Sequence, residues 1–162
     1  MPKDWDSTIN ALCLMLCGLF PNRVRTIPRA DKPEAPLLTQ FVIIPERLYL
    51  QHFHNAESTD YIHNHRWDYM RSFVLSAEYK EEIGSVGFVT RKRFKTHKMN
   101  ARTLHRIHSW GENCWTVFYM GKVVNPNWGY SNMCTGKFIP WHEFIADENK
   151  LSHIETGEIT RY

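Results

Sequence analysis

The sequence predicts an all-β fold, a small antiparallel β-barrel with a short N-terminal helix. At 162 residues, the chain has the length of one domain. Hydrophobic residues make up 43% and charged residues 23%, which is typical of globular proteins and excludes a disordered chain. From Leu37 onward, short runs alternate apolar and polar residues, with turn residues between them. Regularly spaced short strands of this kind are typical of antiparallel sandwiches and barrels.

The first predicted element is a helix. Ser7 or Thr8 can cap its start, and apolar residues recur at helical spacing from Ile9 to Leu19. Pro21 then marks its end, because proline lacks the backbone N–H that would continue the helix.

Three segments follow from this pattern within the single domain. Residues 1–36 hold the helix and a connector, because residues 22–36 contain three prolines and mixed charge. Residues 37–149 form the barrel, and residues 150–162 form a polar C-terminal tail. The strand-like runs of the barrel are residues 41–44, 48–54, 72–79, 86–93, 103–108 and 114–120.

Composition restricts the partners and the location. The net charge of +3 is too small to require a nucleic-acid partner. No apolar run approaches the roughly 18 residues of a transmembrane helix, so no membrane association is expected. The four cysteines form no CxxC pair, and no secretory signal is visible. We therefore expect reduced thiols and a cytoplasmic protein.

A His-x-His pair is the most informative motif. His63 and His65 alternate, so on a strand they would point to the same side. His105 lies in a later strand-like run and is the best candidate for a third ligand. Three neutral imidazoles can bind one divalent metal ion and leave coordination positions open for chemistry. The sequence therefore predicts a metal site made of these three histidines.

Several features keep other interpretations open. His52 and His54 form a second His-x-His pair, which shows that the motif also arises without a metal site. Asp68 is a candidate catalytic residue that can ligate the metal or orient an imidazole, and it can equally cap a turn. Tyr119 is a second candidate catalytic residue, which can line a ligand site or pack in the core.

The order of these motifs resembles the cupin family. In the general cupin pattern His63, His65 and His105 match metal ligands, while Met70 stands in place of the Glu ligand. A narrower group of small bacterial and phage cupins is more similar, over roughly residues 40–144. The matching segments are His63-Asn64-His65-Arg66-Trp67-Asp68-Tyr69, Ser72-Phe73-Val74-Leu75, His105-Arg106-Ile107, Cys114-Trp115-Thr116, Gly121, Trp128-Gly129-Tyr130 and Trp141-His142-Glu143-Phe144. Arg66 and Ser76-Ala77 depart from the proline and the two glycines usual there.

The resemblance implies a cupin-type double-stranded β-helix, or jelly roll, with a divalent metal. The expected activity is a metal-dependent oxygenase reaction on a small polar molecule, with non-haem Fe²⁺ favoured over Zn²⁺, Ni²⁺ or Mn²⁺. Cupins with three histidine ligands, such as thiol dioxygenases, are the nearest pattern. A metal-dependent isomerase or lyase and a non-enzymatic ligand-binding cupin are the alternatives.

A basic segment leaves one further partner class open. Residues 91–98 contain five Lys and Arg around Phe94, and such a patch can contact phosphates. We expect instead that this run is the exposed tip of a hairpin, so nucleic acid is not favoured. The fold is also compatible with a homodimer, because barrel edges expose unpaired strand groups that a second subunit can cover.

Overall fold

The computed structural model describes residues 4–28, 35–54, 60–84, 86–110 and 113–144, which form an N-terminal helix, two antiparallel sheets and a helical turn at residues 141–144. The helix α1 spans Asp4–Leu19, and a short 3₁₀ turn follows at Pro21–Arg23. The strands are β1 (Val24–Pro28), β2 (Pro36–Ile44), β3 (Leu48–Phe53), β4 (Tyr61–His63), β5 (Tyr69–Ser76), β6 (Tyr79–Ile83), β7 (Gly87–Arg91), β8 (Thr96–Asn100), β9 (His105–Trp110), β10 (Trp115–Met120), β11 (Gly129–Asn132) and β12 (Phe138–Pro140).

The strands form two six-stranded sheets. The first sheet has the order β1-β2-β3-β10-β5-β8, and the second has the order β12-β11-β4-β9-β6-β7. Every pair of neighbouring strands is antiparallel. The predicted all-β antiparallel fold with an N-terminal helix is therefore confirmed. Both orders are linear among the described strands, so the structure shows two sheets and no closed barrel in this part of the chain.

Alternation along the strands creates the core. In β5, Met70, Ser72 and Val74 are buried, while Tyr69 and Arg71, which alternate with them, are exposed. One buried cluster joins the inner faces of both sheets. Its members are Leu38, Phe53, Val74, Ala77, Tyr79, Ile107 and Cys114.

The helix packs on the outer face of the first sheet. Cys13 is buried against Phe41, Leu50 and Trp115, and the Trp115 indole Nε1 donates a hydrogen bond to Asn10 Oδ1 at 3.0 Å. Ser7 and Thr8 lie inside the helix, which spans Asp4–Leu19 in the described residues, so the prediction that one of them caps its start was wrong. Asp6 lies in the first turn, where a carboxylate interacts favourably with the helix dipole.

Part of the predicted connector is a strand. β1 lies within residues 22–36 and pairs with β2 along its length. Val24, Thr26 and Ile27 are β-branched, which favours an extended backbone over a loop. The four cysteines carry free thiols. No helix in the described residues combines the length and apolar character needed to cross a lipid bilayer. The predicted C-terminal tail, residues 150–162, lies outside the described residues.

The basic segment does not form a hairpin tip. β7 is an edge of the second sheet and β8 is an edge of the first, so the turn at residues 92–95 carries the chain from one sheet to the other. Phe94 in this turn adopts a φ of 56° and packs edge-on against Trp5 of α1. Local alternation could not reveal this crossover, because it depends on which distant strands β7 and β8 pair with.

Candidate metal centre

Adjacent strands in the middle of the second sheet bring two of the predicted ligands together. His63 is the last residue of β4 and lies directly opposite His105, the first residue of β9. Tyr130 of β11 flanks His63 on its other side. His105 is buried, with 4% of its surface exposed, and His63 is partly buried.

His65 completes a cluster of three imidazoles. The ligand nitrogens of His63, His65 and His105 all lie within 4.8 Å of one another. His65 Nε2 and His105 Nε2 are 2.8 Å apart. In the described part of the chain, this is the only group of three or more His, Cys, Asp or Glu side chains that is positioned to hold a metal ion. The structure thus brings together the three histidines that the sequence predicted.

The backbone at His65 differs from the prediction. Strand β4 ends at His63, so His65 lies in the loop that follows and does not continue the strand. The loop is fixed by a second segment, residues 121–125. Asp68 N donates to Lys122 O at 2.8 Å, Val124 N donates to Arg66 O at 2.8 Å, and Asn125 Nδ2 donates to the His65 carbonyl at 3.3 Å. These bonds hold His65 in place without a strand.

Asp68 stabilises this loop from within. Its Oδ1 accepts hydrogen bonds from the backbone N–H groups of Tyr69 at 2.8 Å and Lys122 at 2.7 Å. Gly121 makes this approach feasible, because a Cβ at that position would lie 2.0 Å from Asp68 Oδ1. Of the roles considered for Asp68, the structure shows the turn-capping one. Its carboxylate does not line the central cavity, and its catalytic role stays a prediction.

Burial keeps two of the imidazoles neutral. Burial, together with repulsion from His105 and His65, holds the pKa of His63 well below its usual value. Burial and repulsion from His105 do the same to the pKa of His65. At neutral pH both rings therefore keep a nitrogen lone pair for a metal ion, which binds only deprotonated ligands.

Glu81 is a residue of the candidate site that the sequence did not predict. It lies on β6, is 1% exposed, and its Oε1 is 2.5 Å from His105 Nδ1. Its other oxygen, Oε2, pairs with Arg91 Nε. Burial raises the pKa of Glu81, but the hydrogen bonds and charges of His105 and Arg91 outweigh it and lower the pKa overall. A carboxylate on the second ring nitrogen orients an imidazole and makes it a better metal ligand.

A cavity of about 280 Å³ lies between the sheets and opens onto the cluster. The three histidines, Glu81 and Trp128 line one side of it. Trp128 stacks on the His65 ring, with ring centroids 6.5 Å apart. Apolar side chains also line the cavity, among them Leu38, Phe53, Ile107 and Phe118.

Tyr119 lies elsewhere. It is 37% exposed on the outer face of the first sheet, where its hydroxyl accepts a hydrogen bond from Tyr69 at 3.4 Å. It does not line the central cavity, and its catalytic role stays a prediction. Trp115 is also on the outer face, under α1. Met70 is fully buried against Met99, Phe118 and Met120.

Two arginines of the basic segment have carboxylate partners. Arg91 pairs with buried Glu81, and Arg93 pairs with Asp6 of α1. The three lysines of the segment, Lys92, Lys95 and Lys98, are exposed. Two of its five cations therefore connect structural elements.

No model of a known protein family and no curated protein sequence matches this chain. The class that the structure itself defines is a two-sheet antiparallel β protein with a three-histidine cluster facing an internal cavity.

Proposed function

We propose that His63, His65 and His105 bind one divalent metal ion and that the protein carries out a metal-dependent reaction on a small molecule held in the cavity. The convergence of three imidazoles from two strands and a loop carries this proposal. A cavity beside the cluster provides room for a substrate next to the ion.

The donor set fits a metal ion. Two imidazole nitrogens bound to one ion at right angles, each about 2.1 Å from it, lie about 3.0 Å apart. The 2.8 Å between His65 Nε2 and His105 Nε2 is close to this separation. Neutral rings, and a carboxylate on the far nitrogen of His105, are the other features expected of a metal-binding site.

We further propose that the two sheets form a cupin-type jelly roll and that the ion is Fe²⁺ in an oxygenase. The antiparallel pairing and the position of the histidines on neighbouring strands support the cupin assignment. A three-histidine iron site supplies open coordination positions for oxygen and substrate. The chain's own residues would hold the ligands in place through Glu81 and the loop of Asp68, and the apolar wall around Phe53 would exclude water.

Metal analysis of the protein, purified without an affinity tag or added metal, tests this proposal. Mass spectrometry should find near-stoichiometric iron, and oxygen uptake can then be screened with thiols, phenols and nucleotides. Stoichiometric zinc or nickel would support the metal site but replace the oxygenase with an isomerase or lyase. A protein that holds no metal and binds none on addition would overturn the proposal in favour of a ligand-binding module.

A further inference from the structure

A polar row crosses the cavity wall opposite the histidines. Arg25 of β1 lies opposite Gln40 of β2, Gln40 lies opposite Gln51 of β3, and Gln51 lies opposite Thr116 of β10. The four residues therefore share one register across the first sheet. Arg25, Gln40 and Gln51 line the cavity, while Thr116 is fully buried and does not line it.

Each glutamine of this row accepts a hydrogen bond through its side-chain carbonyl oxygen. Arg25 Nε donates to Gln40 Oε1 at 2.7 Å, and because guanidinium is only a donor this fixes the orientation of the Gln40 amide. Thr116 Oγ1 donates to Gln51 Oε1 at 3.4 Å. Among the described residues, the amide NH₂ groups of both glutamines and the Nη groups of Arg25 have no acceptor, so these residues bring available donors to the cavity that they line.

Near Arg25 the cavity lining carries a positive charge that no described carboxylate neutralises. Arg25 and Glu81 are the only Lys, Arg, Asp or Glu residues among the described lining of the cavity. Glu81 is already paired with Arg91 on the other side. Arg25 makes no ion pair with any described residue, and its guanidinium lies over the Tyr49 ring, 5.0 Å from the centroid. It is exposed on an edge strand, so it lies where the cavity meets solvent.

Several hydrogen-bond donors beside a cation form a suitable binding site for a carboxylate, because its oxygens accept hydrogen bonds and carry a negative charge. We infer that Arg25, Gln40 and Gln51 bind the carboxylate of a small organic acid whose other end reaches the histidine cluster. The cavity volume of about 280 Å³ restricts this ligand to a small molecule, since ligand sites start at roughly 300 Å³. The part of the inference that concerns the histidine end rests on the proposed metal site; the carboxylate end does not.

Side-chain NMR with butyrate tests the carboxylate end directly. In ¹⁵N-labelled full-length protein, butyrate should shift the Arg25 Nε–H signal and the Gln40 and Gln51 amide signals in a saturable way. The uncharged isostere butyramide should not. Arg25→Gln should weaken butyrate binding at least about tenfold, because it removes a charge-assisted hydrogen bond. Gln40→Glu, nearly identical in shape, should abolish binding, since the new carboxylate would pair with Arg25.

Arg23→Gln is the matched control. Arg23 belongs to the same exposed segment, but its Nη1 donates to the Ile43 carbonyl and it does not line the cavity. Its variant should bind butyrate like the wild type. The inference is overturned if butyrate gives no saturable shift, if butyramide gives the same shifts, or if Arg25→Gln binds butyrate unchanged. Titrating the metal-free and the zinc-treated protein with butyrate in parallel separates the carboxylate site from the proposed metal site. If zinc does not bind, only the proposed metal site is refuted.

Discussion

The chain contains two His-x-His pairs with different surroundings: an outer pair, His52 and His54, and an inner pair, His63 and His65. His52 lies flat on Trp115 on the outer face of the first sheet, with ring centroids 4.3 Å apart and an interplanar angle of 2°. His54 Nε2 is 2.8 Å from the Thr39 hydroxyl. His63 and His65 instead meet a third imidazole beside a cavity. The spacing of the motif therefore does not distinguish a candidate metal site. A third histidine from a neighbouring strand, with a carboxylate behind it, does.

The largest effect on metal binding is expected from replacing a histidine of the inner pair. His63→Gln and His65→Gln each leave two imidazoles, so metal affinity should fall by at least about 100-fold. His52→Gln should retain the wild-type metal content. Metal stoichiometry after dialysis, measured by mass spectrometry, checks both. Equal metal content in the inner and outer variants would refute the site.

Removing the carboxylate behind His105 should have a smaller effect. Glu81→Gln keeps the shape but loses the charge, and metal affinity should drop about 10–100-fold, the range for partners of metal-bound histidines. Glu82→Gln is the control, since Glu82 is the next residue and pairs with Arg106 outside the cavity. Zinc titration with a competing chelator measures both variants, and circular dichroism confirms that each is folded. A Glu82 variant as weak as the Glu81 variant would rule out a specific role for Glu81.

The smallest effect is expected from the outer pair and concerns acid stability. Burial, followed by repulsion from His54, lowers the pKa of His52 from 6.5 to about 4. In the unfolded chain, His52 becomes protonated below pH 6.5, whereas in the folded protein it stays neutral until about pH 4. The free energy of unfolding therefore falls as the pH falls through this window. His52→Phe preserves stacking on Trp115 but cannot be protonated.

Urea unfolding of metal-free protein at neutral pH and at pH values between 6.5 and 4 measures this effect. The free energy of unfolding of His52→Phe should decline less steeply than that of the wild type. Parallel declines would mean that His52 is accessible to protons in the folded state.

Local patterns predicted much of this arrangement. Alternation correctly indicated antiparallel strands, and the inner histidines were found from their spacing and from His105 in a later strand. Glu81 was missed because it stands among charged neighbours, Lys80 and Glu82. Its alternation with Tyr79 and Ile83 was the available signal, since those two residues favour the inner face.

Long-range pairing was beyond the reach of the sequence. The polar row of Arg25, Gln40 and Gln51 exists only because β1, β2 and β3 pair in one register, and β1 was predicted to be part of a connector. Likewise, the crossover after β7 depends on sheet membership, which no window of neighbouring residues contains.

The contact between Asp68 and Gly121 bears on how other chains with this site should be sought. His65 belongs to a loop in which the Asp68 carboxylate lies so close to Gly121 that a side chain at that position would collide with it. A search pattern restricted to the three histidines would also accept chains in which the residue corresponding to His65 is not held in position. Requiring Asp68 and Gly121 as well encodes the geometry, although neither residue belongs to the histidine cluster.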